Sequence, residues 1–328
     1  MQIKKIKAFI TNFYTKHKQL ITVTIYLLWG ILLLAIFYTA WRSIDQLLPY
    51  LKQADIRKIP VVVLSYLLAL TLATINWAAI MHAFDHTLSL WSHIRIYLVT
   101  MVTRRLPGTI WYIGGRMFLY KRLGVSQLNT VSASGIELIV SFVADCILAA
   151  IFLPFGLNIS NYWLIPLLIV VLIGLTILHP KVLSFLMTKL NRPLSRPVES
   201  WRVLIWLILR MALVLTGGIM IFQTVLIFFP RSPDLLFLVL GTRALSGAAG
   251  MLTYFLPSSL GSSDLTLLAL LSTVIPVSLS TVIAIMVRLY TSFFELIFGL
   301  IFFIILKQSP EFKDLSLKRN DSDNIKSD

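Results

Sequence analysis

The 328-residue chain is 58% hydrophobic and 13% charged, whereas soluble domains are about 25% charged. Its net charge is +15, but the lysines and arginines stand in short groups beside apolar runs, where they orient a membrane protein rather than bind nucleic acid. The only cysteine, Cys146, lies within an apolar run, which excludes an intramolecular disulfide and a cysteine-based metal cluster. The composition predicts a polytopic membrane protein.

The chain begins with a basic segment. Residues 1–20 contain five lysines and no acidic residue, which predicts a cytoplasmic N-terminus under the positive-inside rule. Residues 21–40 are apolar over the length of one span, and no small-residue cleavage site follows them, so we expect a retained helix rather than a signal peptide. A second helix over residues 61–81 returns the chain to the cytoplasm, with Pro60 in its first turn.

The next segment is basic and interrupted. Residues 94–102 are apolar but too short to span. The Pro107–Gly108 and Gly114–Gly115 pairs should break a helix at a depth where lipid offers no hydrogen-bond partner. We therefore expect a re-entrant or interfacial pair of short helices. Three histidines nearby are better interpreted as solvated interfacial side chains than as metal ligands, because no cysteine or carboxylate cluster joins them; they are His82, His86 and His93.

Further apolar runs predict helices over residues 127–155, 161–178, 203–229 and 277–306. We expect Pro154, with Gly156 and Asn158, to close the first of these in a short extracellular turn. Residues 235–256 are long enough to span but contain glycines and end at Pro257, and residues 265–275 are half a span. This region is the second broken element. The predicted fold is an all-α polytopic membrane protein with about eight transmembrane or half-membrane helices and two broken or re-entrant elements.

Three regions follow from this organisation. Residues 1–20 are a basic cytoplasmic segment, residues 21–306 form the transmembrane domain, and residues 307–328 mix both charges as a disordered cytoplasmic tail. Basic residues concentrate on the assigned inner side. The sequence therefore predicts a multi-pass protein of the cell membrane with both termini in the cytoplasm.

Charged residues inside the apolar runs are candidates for function, because each costs a few kcal/mol or more in the bilayer unless it is paired or wetted. Arg288 and Glu295 lie two turns apart on one helical face. Arg210, near the start of its helix, is interpreted as an interface anchor whose side chain reaches the membrane surface. The alternative to a functional role is that all of these charged residues form structural salt bridges between the helices. The seven candidates are Glu137, Asp145, Arg210, Arg243, Asp264, Arg288 and Glu295.

The two broken elements fall in the two halves of the chain, a layout that points to a binding site in transporters built from repeats. Arg104, Arg105 and Arg116 are predicted to bind a phosphate. We expect removal of the Arg116 side chain to abolish lipid movement without unfolding the protein. The acidic residues predicted to line the path are Glu137, Asp264 and Glu295.

A motif in the first half resembles the lysylphosphatidylglycerol synthase transmembrane region, a flippase-like domain. The residues that carry the resemblance are Pro107, Gly108, Trp111, Gly115, Arg116, Leu123, Gly124, Val125, Ser126 and Glu137. The second element resembles that family's Leu-Pro-Gly-Gly-x-Gly-x-Arg-Glu motif through Leu256, Pro257 and Gly261, with Asp264 in place of the glutamate. Serines replace two glycines and the arginine of that motif, and Arg243 or Arg288 could supply the missing contact. The resemblance covers about residues 20–306.

The resemblance implies a role in lipid handling. In bifunctional members of that family, the membrane domain moves aminoacylated phosphatidylglycerol between leaflets, and a separate soluble domain makes this lipid from aminoacyl-tRNA. The loops of this chain are shorter than the roughly 50 residues that a folded domain needs, so we do not expect aminoacyl transfer from it.

The predicted function is translocation of an anionic or phosphate-bearing lipid, such as a phospholipid, an aminoacyl-phospholipid or a polyprenyl-linked glycan. One alternative is a membrane partner or scaffold for a separate lipid-modifying enzyme. Another is an intramembrane lipid-linked transferase with Asp145 or Asp264 as its base. We predict no cofactor, no metal and no nucleic-acid partner. The sequence has no ATP-binding phosphate loop. It is compatible with a homo-oligomer as well as with a monomer.

Overall fold

The computed structural model describes residues 52–84, 87–105, 110–157, 164–189, 198–229, 233–252 and 262–309, together with Leu48 and Tyr50. The chain divides into two compact units, residues 1–52 and 53–328. The helix predicted over residues 21–40 and the predicted tail from residue 310 lie outside the described residues. The helices of the second unit are α1 (Ile59–Met81), α2 (Leu90–Met101), α3 (Ile110–Arg122), α4 (Gln127–Gly156), α5 (Leu164–Leu178), α6 (Pro180–Lys189), α7 (Ser200–Phe228), α8 (Leu236–Leu252), α9 (Ser262–Leu271) and α10 (Val277–Gln308).

The described residues form a helical membrane protein without a β-strand. Four helices are long and apolar enough to cross a bilayer, namely α1, α4, α7 and α10. The α5–α6 pair would be a fifth span, bent by 67°. The predicted count of about eight is therefore too high for full spans in this part of the chain. Helices α2, α3, α8 and α9 contain 12, 13, 17 and 10 residues, short of the roughly 20 that a span needs.

The helix predicted over residues 127–155 ends at Gly156, within one residue of the prediction, whereas the helix break predicted at Gly114–Gly115 is absent. Helix α4 continues through Pro154 to Gly156, and the Leu157 amide still donates to the Leu153 carbonyl, 2.9 Å away. A proline removes only one backbone donor, so the helix tolerates it near its end. Gly114 and Gly115 lie inside α3, where a β-carbon on Gly115 would be 3.4 Å from Thr100 of α2. The glycine pair therefore belongs to a packed helix and does not interrupt it.

Both predicted re-entrant turns, Pro107–Gly108 and Pro257–Gly261, lie outside the described residues. Short helices flank each position: α2 and α3 on either side of the first, α8 and α9 on either side of the second. A tight turn then joins α3 to α4. Gly124 has φ +83°, a conformation that favours glycine, and the Ser126 side chain caps α4 by accepting from the Leu128 amide at 3.3 Å. This turn places α3 against α4.

Helices α4 and α8 pack closely and antiparallel. A β-carbon on Gly156 would be 2.5 Å from the Leu238 α-carbon, and one on Gly241 would be 2.8 Å from the Leu153 amide nitrogen. Small residues allow such close approach of two helices within a membrane. Helix α8 also contacts α7 and α9, and α7 contacts α1. The charged residues of α4, α7 and α8 are thereby brought together inside the bundle.

Candidate functional site

Arg116 of α3 forms a closed ion pair with Glu137 of α4. Its Nη1 atom donates to Glu137 Oε2 at 2.6 Å, and the two side chains are 1% and 8% exposed. Tyr112 donates from its hydroxyl to the same carboxylate oxygen at 3.3 Å. The spacing between these residues follows from the tight turn at Gly124, which folds α3 back onto α4. The pair neutralises its own charge away from water.

Aromatic rings enclose the Arg116 guanidinium. Its Cζ atom is 3.8 Å from the ring centroid of Trp77, 4.5 Å from that of Tyr112 and 4.7 Å from that of Tyr97. Cations in these positions are stabilised by the negative faces of aromatic rings. We call this group, Arg116 and Glu137 with Trp77, Tyr97 and Tyr112, the aromatic cage. Both the charge and the planar faces of the guanidinium already have protein partners there.

A hydrogen-bonded chain supports the aromatic cage from behind. The Trp77 indole nitrogen donates to the Tyr120 hydroxyl at 2.8 Å, and His93 Nδ1 lies 2.7 Å from the same hydroxyl. His93 is 2% exposed, so the prediction of a solvated histidine is wrong at this position. His82 is exposed as predicted, and His86 lies outside the described residues.

Several residues of the first predicted site cannot be placed with the aromatic cage. The side chains of Arg104 and Arg105, and all of Pro107 and Gly108, lie outside the described residues. Trp111 is half exposed. The sequence motif therefore brings together Gly115, Arg116 and Glu137, of which the last two form the ion pair.

A second group of charges lines a cavity of about 400 Å³ inside the helical bundle. Apolar side chains and glycines of α1, α2, α7, α8 and α9 form much of its wall. Six of the seven predicted intramembrane charges lie on it, and Glu137 does not. These six are Asp145 of α4, Arg210 of α7, Arg243 of α8, Asp264 of α9, and Arg288 and Glu295 of α10.

Arg288 and Asp264 form an ion pair across this charged cavity, with the two side chains 25% and 32% exposed. Asp145 is 1% exposed and interacts electrostatically with Arg210 and Arg243. Neither of its carboxylate oxygens has a hydrogen-bond partner within the described part of the chain. A buried carboxylate without such partners is costly. The Asp145 end of the charged cavity is therefore suited to a polar ligand or to water.

Glycines make room for these side chains. A β-carbon on Gly247 would collide with Asp145 Oδ2 and would be 3.0 Å from Arg243 Nη1. One on Gly217 of α7 would be 3.3 Å from Arg243 Nε. Arg243, Ser246, Gly247 and Gly250 recur at the spacing of one helical face, which is the face that α8 turns to the charged cavity.

Two residues differ from their sequence interpretation. Arg210 is 9% exposed and lines the charged cavity, so it does not act as an anchor at the membrane surface. Its helix is the most buried of the four spans. The sequence analysis did not single out Ser246, whose hydroxyl is buried without a hydrogen-bond partner in the described region. Its position three residues after Arg243, on the same helical face, is the sequence signal that could have identified it.

The remaining predicted residues, Pro257 and Gly261, lie outside the described residues. Among the described residues there is no group of three or more His, Cys, Asp or Glu side chains that could hold a metal ion. Comparison of the chain with known protein families, with curated proteins and with solved structures finds no match in any of the three. The geometry of the charged cavity is therefore the basis for interpreting its function.

Proposed function

We propose that this protein is an integral membrane lipid-handling protein that translocates a phosphate-bearing lipid between leaflets, with the lipid head group held in the charged cavity. The observation that supports this most is the meeting of Arg210, Arg243 and Arg288, from three separate helices, on one cavity within an apolar bundle. Arginine is well suited to phosphate because its planar donors match the phosphate oxygens. Arg210 is buried and the other two are partly buried. Arginines inside an apolar bundle are costly unless they serve a ligand or a structural pair.

The carboxylates explain how the charged cavity is stable without its ligand. Asp145, Asp264 and Glu295 balance the three arginines in number. A phosphate would compete with Asp145 for Arg210 and Arg243, while the carboxylates could accept hydrogen bonds from hydroxyl or amino groups of the head group. A phospholipid, an aminoacyl-phospholipid and a polyprenyl-linked glycan all combine a phosphate with such donors. The substrate class proposed here is a phosphate lipid whose head group also donates hydrogen bonds.

The aromatic cage takes a supporting role in this proposal. Its arginine is fully enclosed and paired, so it would hold the short helices α2 and α3 in position rather than bind the phosphate. The sequence resemblance to a flippase-like domain and the distribution of basic residues support lipid translocation in the cell membrane, with both termini cytoplasmic. Arg104 and Arg105 remain candidates for a head-group contact at the entrance to the path.

A vesicle assay tests the proposal. The full chain is reconstituted into vesicles of phosphatidylcholine with fluorescent phosphatidylglycerol, and leaflet exchange is followed by chemical quenching of the outer leaflet. We expect exchange by the unaltered chain, and a loss of roughly ten- to hundredfold with Arg243→Gln, because a hydrogen bond to a charged group contributes about 1.5–3 kcal/mol. The matched control is Arg122→Gln on the exposed surface of α3, which should exchange normally.

Two further outcomes identify the alternatives. A change in lipid mass without leaflet exchange would favour the intramembrane transferase, and inactivity of the unaltered chain would favour a scaffold that needs a partner enzyme. Normal exchange by a folded Arg243→Gln variant would contradict the role of the charged cavity. Thermal unfolding of each variant separates a lost contact from a lost fold.

A further inference from the structure

A second depression lies beside the charged cavity, between α4 and α5. Its volume is about 320 Å³, within the roughly 300–1,000 Å³ of ligand pockets. Every described residue that lines it is apolar. We call it the apolar crevice; its lining includes Phe142 and Val143 of α4, Ile173 and Gly174 of α5, and Met251 and Leu252 at the end of α8.

The apolar crevice and the charged cavity meet at Met251, which lines both. On α4 the two sites are also neighbours, since Phe142 and Val143 line the crevice while Asp145 lines the cavity. Residues 142–145 are near the middle of the 30-residue helix α4. A polar and an apolar binding surface thus lie side by side within the span.

Helix packing shapes the floor of this crevice. A β-carbon on Gly174 would collide with Val143 Cγ2, so the glycine lets α5 approach α4 directly. Around this contact, Ile173 and Val170 form part of one wall of the crevice and Phe142 part of the other. A larger residue at position 174 would separate the helices. The crevice is therefore a defined groove rather than a stretch of flat lipid-facing surface.

We infer that the apolar crevice holds a hydrocarbon chain of the lipid whose head group occupies the charged cavity; this inference rests on the proposed function. The chains of a lipid stay in an apolar environment while its head group moves, because transfer of each methylene to water is unfavourable. An apolar groove that opens beside the polar site keeps one chain against the protein at that step. The junction at Met251 lets one molecule place its phosphate on the polar side and its chain on the apolar side. The occupant is therefore an amphipathic lipid with a long chain.

Photo-crosslinking tests chain binding directly. The full chain in phosphatidylcholine vesicles is labelled with phosphatidylglycerol that carries a diazirine in the middle of one acyl chain, and the labelled residues are mapped by mass spectrometry. We expect labels at Phe142, Val170 and Ile173 in excess over Leu168 and Leu172, which are exposed on α5 outside the crevice. Equal labelling of the two sets would overturn the inference.

A matched pair of variants tests the consequence for exchange. Ile173→Trp fills the crevice, and Leu172→Trp places the same ring on the adjacent residue; the two positions are 55% and 64% exposed, so neither should impair folding. We expect Ile173→Trp to slow phosphatidylglycerol exchange several-fold, because the indole ring takes the place of the acyl chain in the crevice. Leu172→Trp should exchange normally.

The two experiments separate this inference from the proposed function. Suppose that the unaltered chain and Ile173→Trp exchange lipid equally well and that labelling is not selective. This result would overturn the inference that the crevice binds a lipid chain and would leave the proposed function standing. Selective labelling of the crevice without any exchange would support chain binding and contradict translocation. Equal slowing by both tryptophan variants would show a general packing effect and would count against the crevice.

Discussion

The aromatic cage and the charged cavity both place arginine and carboxylate inside an apolar helical bundle, but they differ in how far these groups are satisfied. In the cage, Arg116 is 1% exposed, paired with Glu137 and enclosed by three aromatic rings. In the cavity, Asp145 is equally buried and both of its oxygens lack a hydrogen-bond partner in the described residues. The Arg116 Nε atom also lacks a hydrogen-bond partner in the described residues, but the charge of Arg116 has a bonded counter-ion. A charge with a bonded counter-ion holds helices together, and a buried charge without a hydrogen bond can serve a ligand.

This difference reverses the order of importance that the sequence suggests. The cage takes Arg116 and Glu137 from the strongest local motif of the sequence. The six charges of the cavity come from five helices, and no two of them are closer than seven positions in the sequence. The compact motif therefore forms a structural centre, while the dispersed charges form the open site.

The largest expected effect is the loss of stability on breaking the cage. Arg116→Ala leaves the Glu137 carboxylate buried without its counter-ion, which costs about 3–5 kcal/mol. Chemical denaturation in detergent micelles, followed by far-UV circular dichroism, measures the free energy of unfolding. The control is Lys121→Ala, an exposed residue of the same helix, for which we expect no measurable change.

A double substitution sharpens this experiment. Replacing the pair together, as Arg116→Met with Glu137→Leu, removes both charges and should recover most of the lost stability, because apolar residues of similar volume often replace a buried ion pair without cost. If Arg116→Ala were as stable as the unaltered chain but inactive in leaflet exchange, the phosphate role predicted from the sequence would be correct and the structural role wrong.

The long spans were predictable because an apolar run of about 20 residues has few alternatives to a transmembrane helix. The prediction of 61–81 became α1, Ile59–Met81, and 277–306 became α10, Val277–Gln308. The number of spans was not predictable in the same way. Helix α8 is apolar but has 17 residues, and whether such a helix crosses the bilayer depends on its neighbours rather than on its composition.

The candidate site was predictable only as a set of unconnected charges. A charged side chain such as Asp145 or Arg243 has a high free energy in a bilayer at any position along a span, so each residue can be recognised as a candidate from the sequence alone. Their proximity depends on the antiparallel packing of α4 on α8 through Gly241 and Gly247, which no local pattern reveals. Arg210 was misread for the same reason: a position near a helix start suggests the interface only if no other helix covers it.

A smaller effect is expected at the ion pair between Arg288 and Asp264. The side chains are 25% and 32% exposed, so solvent screens their attraction and the pair contributes about 1 kcal/mol or less to stability. Reversing either charge alone should lower the unfolding temperature slightly. The swapped variant, Arg288→Asp with Asp264→Arg, should restore it, as measured by thermal unfolding in micelles.

Leaflet exchange by the swapped variant separates the two roles of the pair. If Arg288 also contacts the head group, the swap restores stability while exchange stays low, because the guanidinium has moved from α10 to α9. This is the outcome we expect. Full recovery of exchange together with stability would mean that the pair only ties α9 to α10, and that Arg210 and Arg243 alone receive the phosphate.

The smallest expected change compares a glycine in each region. Gly247→Ala would bring a β-carbon into collision with Asp145 Oδ2, but the colliding atom ends a side chain that can rotate, so the free energy of unfolding should change by less than about 1 kcal/mol. Exchange should still fall, because the Asp145 carboxylate must leave its position near Arg243. Gly114→Ala meets no atom within 4 Å and should stabilise α3 by about 0.5–1 kcal/mol. Unchanged exchange in both variants would contradict a functional position for Asp145, whereas a loss confined to Gly247→Ala would locate the sensitive geometry in the charged cavity and away from the helix of the cage.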